Sequence, residues 1–97
     1  MIKPVLQLKI LHPSGDIDER VIWLVPKSVS NPDGIRYRLA YIRNRKALVL
    51  YDNHYPKGHH KHIRSHESEY LYKGIDQLIK DFENDVEEVR RGEDIRH

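Results

Sequence analysis

The apolar residues Ile75, Leu78, Ile79, Phe82, Val86 and Val89 recur at intervals of 3, 1, 3, 4 and 3. That spacing puts all six on one stripe of an α-helix and on no single face of a strand. The apolar blocks upstream repeat with period two instead, the spacing of strands that bury one face. A run of strands closed by one helix fits an α+β chain, in which the helix packs on one face of an antiparallel sheet. Gly74 suits the helix N-cap, Asp76 favours the first-turn dipole, and Arg90, Arg91 and Gly92 suit the last turn and the position beyond it. Residues 93–97 are expected to fray. At 97 residues the chain reads as a single domain, 1–97, with a small core.

Val5 to His12 is expected as the first strand, with Leu6, Leu8 and Ile10 on one face and a turn at Pro13-Ser14-Gly15-Asp16. Ile17 to Val25 follows, with Ile17, Val21, Trp23 and Val25 sharing a face. Ile22 and Leu24 make its other face apolar as well. Pro26 to Gly34 is a loop by its prolines, serines and Asp-Gly pair. Ile35 to Arg43 forms a third strand with Ile35, Tyr37, Leu39 and Tyr41 on one face. Asn44-Arg45 turns the chain into a fourth, Lys46 to Asn53. A two-residue turn would set Tyr41 opposite Leu48, Leu39 opposite Leu50 and Arg38 opposite Tyr51. Ile63 to Tyr72 reads as a short fifth strand or an extended loop, so the sheet is expected to have four to five strands. One helix covers one face. Ile22, Leu24, Ala40, Ile42 and Val49 are then expected on the other, where a second copy of the chain could pack to form a homodimer.

The absence of cysteine excludes disulfides and thiolate metal sites and fits a reducing cytoplasm. No apolar run approaches the roughly 18–20 residues that span a bilayer. Pro4, Gln7 and Lys9 interrupt any signal-peptide pattern. A cytoplasmic protein with no membrane partner is expected. The net charge of +2 conceals an asymmetry, because residues 73–97 carry five basic and eight acidic side chains and residues 1–72 carry twelve and seven. An anionic partner should therefore meet the first three-quarters of the chain.

Five of the seven histidines, His54, His59, His60, His62 and His66, fall within thirteen residues. Packing gives little reason to gather them in a stretch containing Pro and Gly, and histidine changes charge near neutral pH. Three kinds of site fit. Acid–base cleavage of a phosphodiester, RNA in particular, needs a base for the 2′-hydroxyl, an acid for the leaving oxygen and cations for the charge on phosphorus. His60 and His62 project to the same side of an extended backbone. Lys57, Lys61, Arg38 and Arg43 can supply cations, and Asp52 or Glu69 can orient an imidazole. Alternatively His60 and His62, with His54, His66 or Glu69, could ligate a metal, although the spacing matches no standard zinc pattern. The third is a non-catalytic surface for nucleic acid or protein. Elsewhere Trp23 reads as core, Tyr37 and Tyr41 as sheet packing, and the acidic face of the helix as solvated.

Tyr51-Asp52-Asn53, then Lys57-Gly58-His59-His60-Lys61-His62, then Asp76-Gln77-Leu78-Ile79-Lys80-Asp81-Phe82 resemble the pattern of the TumE-type toxin family. The likeness runs from Tyr37 to Val89, and the Lys-Gly-x-His-x-His element is its most specific part. In that element His60 and His62 hold the fixed places and His59 the variable one, while His54 and His66 look incidental. The resemblance implies the toxin half of a bacterial or archaeal toxin–antitoxin module, neutralised by an antitoxin protein. Many small toxins of such modules are ribonucleases, so it also favours RNA as target. The combined expectation is a metal-independent ribonuclease without a cofactor. His60, His62 and Asp52 would be catalytic, Lys57, Arg43, Arg38 and Asn53 would hold substrate phosphate, and Gly58 would shape the loop. The competing expectation is a binding module, with or without a histidine-bound metal.

Overall fold

A computed structural model describes residues 2–95, with side chains described through Gly92. Six strands precede one helix: β1 (Lys3–Leu11), β2 (Ile17–Leu24), β3 (Ile35–Arg43), β4 (Lys46–Asp52), β5 (His60–Ile63), β6 (His66–Glu69) and α1 (Ile75–Ile95). The strands lie side by side in chain order, and every neighbouring pair is antiparallel. This is the α+β arrangement implied by the change of period, with six strands in place of four or five. The difference comes from the histidine segment, whose second half is β5. Arg64, in the left-handed region at φ 55°, starts the turn that folds β6 back on it. No Gly or Asn marks that turn, and His-Glu-Ser-Glu contains none of the β-branched or aromatic residues typical of strands.

One face of the sheet packs on α1. Ile22, Ile35, Tyr37, Leu39, Tyr41, Val49 and Tyr51 meet Leu78, Phe82, Val86 and Val89 of the helix. Burying each of the larger side chains contributes roughly 1.5–3 kcal/mol. The helical stripe is the one its spacing indicated. The Gly74 carbonyl accepts from the Leu78 amide at 3.0 Å, the first bond of the helix. Gly92 does not end α1, which continues to Ile95. Residues 96–97, part of the tail expected to fray, lie outside the described residues.

The β3–β4 hairpin decides what faces where. Its turn has two residues, Asn44 and Arg45, both left-handed at φ 51° and 67°, the backbone that suits tight hairpins. Tyr41 nevertheless pairs with Val49, because Leu48 is taken up by a bulge. Beyond it Leu39 pairs with Tyr51 and Arg38 with Asp52, one residue out from the expected pairing. A one-residue slip exchanges the two faces of a strand. Val49 and Tyr51 thereby enter the core with no exposure, and Asp52 turns to the opposite, open face. The bulge thus buries Val49 and Tyr51 rather than Leu50 and Asp52.

Strand β2 also departs from expectation. Ile22 is the residue facing the helix, whereas Trp23 is half-buried on the open face rather than in the core. Arg20 and Asp18 share the side of Ile22. Arg20 is held by Asp18 at 3.0 Å and Glu83 at 2.9 Å and lies 5.3 Å above the Phe82 ring. Pairing makes those charges tolerable beside the core. The apolar set on which a second copy was expected is therefore split, since Ile22 and Val49 are in the core. The acidic face of the helix is not simply solvated either. Besides Glu83, Asp81 accepts from the Tyr70 hydroxyl at 2.6 Å, and Asp85 receives Lys61 at 3.2 Å and the Tyr51 hydroxyl. No helix among the described residues is long and apolar enough to cross a membrane.

Candidate functional site

Tyr51-Asp52-Asn53 separates into three roles. Tyr51 faces the helix. Asn53, 6% exposed, continues the β3–β4 ladder with its side chain, accepting from the Tyr37 amide at 3.0 Å and donating to the Ile35 carbonyl at 2.8 Å. It clamps the strand end and does not sit where a phosphate contact was expected. Asp52 alone reaches the open face, where it is a cross-strand neighbour of both Arg38 and His60.

His60 is 8% exposed and held at both ring nitrogens. Nδ1 is 2.7 Å from the Gly58 carbonyl and Nε2 is 3.0 Å from Asp52 Oδ1. A carbonyl only accepts, so Nδ1 donates to Gly58, whereas the Nε2 contact with Asp52 lies at ion-pair distance without hydrogen-bond geometry. Gly58 supplies its carbonyl from a left-handed backbone, φ 73°, while a Cβ there would meet nothing within 4 Å. Glycine is needed for conformation, not for space.

His62 lies on the same face, its ring 5.5 Å from that of His60 between centroids. Its Nε2 is 2.8 Å from a Glu67 carboxylate oxygen. Lys57 bonds both Glu67 oxygens, at 2.9 and 3.0 Å, and this contact holds the Glu67 carboxyl below its ordinary range. Lys57 therefore reaches the site through Glu67. Glu67 was missed from the sequence. The signal was there once β5 and β6 are paired, because His62 and Glu67 are cross-strand partners.

The other expected cations divide sharply. Arg38 is exposed beside Asp52 and makes no side-chain hydrogen bond or ion pair among the described residues. Arg43 lies five residues along β3, about 16 Å away at strand rise, and is not brought to the histidines. It grips Asp16 through Nε at 3.0 Å and a terminal nitrogen at 2.8 Å, and the Tyr41 hydroxyl donates to the same carboxylate at 2.7 Å. The Arg43 guanidinium outweighs burial and lowers the Asp16 carboxyl to about 2. Lys61 points to the helix, over the Tyr51 ring.

The remaining histidines have separate duties. His59 stacks on Tyr72 at 4.6 Å and bridges Asp33 at 2.7 Å to the Tyr37 hydroxyl at 2.8 Å. Burial pushes that hydroxyl well above the usual tyrosine range, so it stays protonated and can donate. His54 is 2.9 Å from Arg36, and His66 is exposed on β6. A metal could be held by His60, His62 and Glu67, whose ligand atoms lie within 4.8 Å of one another. Two imidazoles and a carboxylate are a zinc-type donor set. His54 is not part of that group.

The architecture defines a small β-sheet protein with its helix on one side and a paired-histidine hairpin on the other. A family model described as Toxin TumE matches residues 3–90. The chain belongs to the TumE toxin family, over a longer stretch than the motifs alone covered, and every residue of the hairpin site lies within the match. No curated protein and no solved structure matches the chain.

Proposed function

We propose that the protein is the toxin of a toxin–antitoxin module and cleaves RNA in the cytoplasm, with His62 as general base and His60 as general acid. The observation that carries this reading is the pair of adjacent imidazole rings, 5.5 Å apart between centroids, each with a carboxylate beside it. His60 Nδ1 donates to the Gly58 carbonyl and its Nε2 lies 3.0 Å from Asp52, while His62 Nε2 lies 2.8 Å from Glu67. His62 takes the proton of the 2′-hydroxyl, and that oxygen bonds to phosphorus as the 5′-oxygen leaves. His60 gives its Nε2 proton to the leaving oxygen. The products are a 2′,3′-cyclic phosphate and a 5′-hydroxyl. Arg38, exposed beside Asp52, neutralises the non-bridging oxygens, and Asp52 orients His60. Acid–base groups of this kind contribute roughly 10²–10⁴-fold each. Lys57 serves by holding Glu67, and Arg43 and Asn53 serve the fold.

The antitoxin protein is the partner that toxin-family membership implies. A second reading, a divalent ion on His60, His62 and Glu67, is favoured by the convergence of their ligand atoms. It requires Lys57 to release Glu67. The two are separated by expressing the protein with and without the adjacent gene and by assaying purified protein on RNA in a chelator. Growth arrest that is relieved by the His60→Ala/His62→Ala pair, with RNA cleavage surviving the chelator, fits the acid–base reading. Cleavage abolished by the chelator and restored by zinc fits the metal. Arrest undiminished in the double variant sinks both, and RNA that is bound in a salt-dependent way but left intact points to a binding module.

A further inference from the structure

Beside the histidines the open face has a cavity of about 540 Å³, lined by residues that include Val21, Trp23, Arg36, Arg38, Asp52 and His54. We infer that this cavity is a subsite for one unpaired nucleotide flanking the scissile phosphate, its base against Trp23 and its phosphate between Arg36 and Arg38. The substrate class rests on the RNA reading of the neighbouring histidines.

The pairing of the strands orders the parts. Trp23 is the cross-strand partner of Arg36, and the next row runs Val21, Arg38, Asp52, His60 across four strands. Trp23 on β2 and His60 on β5 are three strand spacings apart, about 14 Å. The base on Trp23 therefore belongs to a neighbour of the cleaved nucleotide. An indole on a sheet face, set among apolar Val21 and Val25, accepts the flat face of any base, and single-stranded nucleic acid is commonly held this way. Two arginines on the same wall fit an anion. The His54 ring accepts from Arg36 at 2.9 Å and fixes that guanidinium at the rim. Asp52, the one acid among the lining residues, has its Oδ1 occupied by His60 and the His54 amide. Its Oδ2 is turned to no partner among the described residues and can accept a ribose hydroxyl.

Trp23 is the only tryptophan of the chain, so its fluorescence reports on the subsite alone. The probes are adenosine 5′-monophosphate and ribose 5-phosphate. The nucleotide should quench saturably, and the sugar phosphate should bind at least about tenfold more weakly, the loss expected of one base stack. Arg36→Ala and Arg38→Ala, both exposed positions, should each weaken the nucleotide roughly three- to tenfold with an unchanged melting curve. The His60→Ala/His62→Ala pair should bind it within about twofold of the parent while cleaving no RNA. Absence of saturable quenching, equal binding of the two probes, or affinity unchanged in both arginine variants overturns the subsite. RNA cleavage without nucleotide binding overturns the subsite and leaves the histidine reading standing. Nucleotide binding by a protein that cleaves nothing supports the subsite and overturns the histidine reading.

Discussion

On the helix side of the sheet Lys61 reaches Asp85 at 3.2 Å, Arg43 grips Asp16 at 2.8 Å, and His59 joins Asp33 to Tyr37. On the open side Arg38 has no partner among the described residues, and His60 and His62 stand next to each other with carboxylates beside them. The two sides draw on the same residue types. What differs is where the partners come from. Behind the sheet, loops and helix close these charges against one another, as burial demands. In front, the carboxylates come from neighbouring strands of the sheet itself, and the rings they hold face outward. Substitutions should therefore separate cleanly into those that unfold the protein and those that silence it.

The largest effect expected on the open side is from His62→Ala. RNA cleavage should fall roughly 10²–10⁴-fold while the urea midpoint hardly moves. A large loss of stability in that variant would mean that the open face also supports the fold. On the helix side Phe82→Ala should do the reverse. Phe82 is fully buried, and its truncation costs about 3–5 kcal/mol of a total of about 5–15, seen as a lower urea midpoint with cleavage per folded molecule retained.

Acid should weaken the helix side through Asp16. Its carboxyl is lowered from 3.8 to about 2 in the folded protein. A depressed carboxylate stabilises fully above its unfolded value and loses that contribution as pH falls through the folded one. About 2 kcal/mol should disappear between about pH 5 and pH 2. Measured by urea unfolding, the stability gap between the parent and Asp16→Asn should shrink over that window. Arg43→Ala should lower stability and spare cleavage, and Arg38→Ala should spare stability and lower cleavage. Equal behaviour of the two arginine variants would erase the contrast between the faces. The smallest effect is expected at Gly58→Ala, where a left-handed backbone costs an L-residue about 1–2 kcal/mol and the carbonyl behind His60 is displaced. Its melting point should fall by a few degrees, and its cleavage rate by less than that of His62→Ala.

Much of this was legible in the chain. The helix followed from one apolar stripe, and β3 from the alternation of Ile35, Tyr37, Leu39 and Tyr41. The His60–His62 pair followed from its spacing. The faces were harder to read. The bulge at Leu48 has no local signature; it follows from the burial of Val49 and Tyr51, a property of the whole sheet. That slip turned Asp52 toward His60. Arg64 occupies a left-handed position that sequence assigns to Gly or Asn, so the hairpin carrying Glu67 was hidden. Asn53 reads as a polar contact, but its amide acts as a rung of the ladder. Trp23 reads as core because apolar neighbours flank it, yet the core side of β2 is the one bearing Asp18, Arg20 and Ile22, whose charges are paired with each other and with Glu83, 63 residues along the chain.

The central claim is that paired histidines on the open face do acid–base work on RNA. Its most direct test is the chemistry of the RNA ends left by purified protein acting in a chelator. The account predicts 2′,3′-cyclic phosphate and 5′-hydroxyl ends, absent with His60→Ala/His62→Ala. Intact RNA, ends bearing 3′-hydroxyl and 5′-phosphate, or cleavage unchanged in the double variant would contradict it.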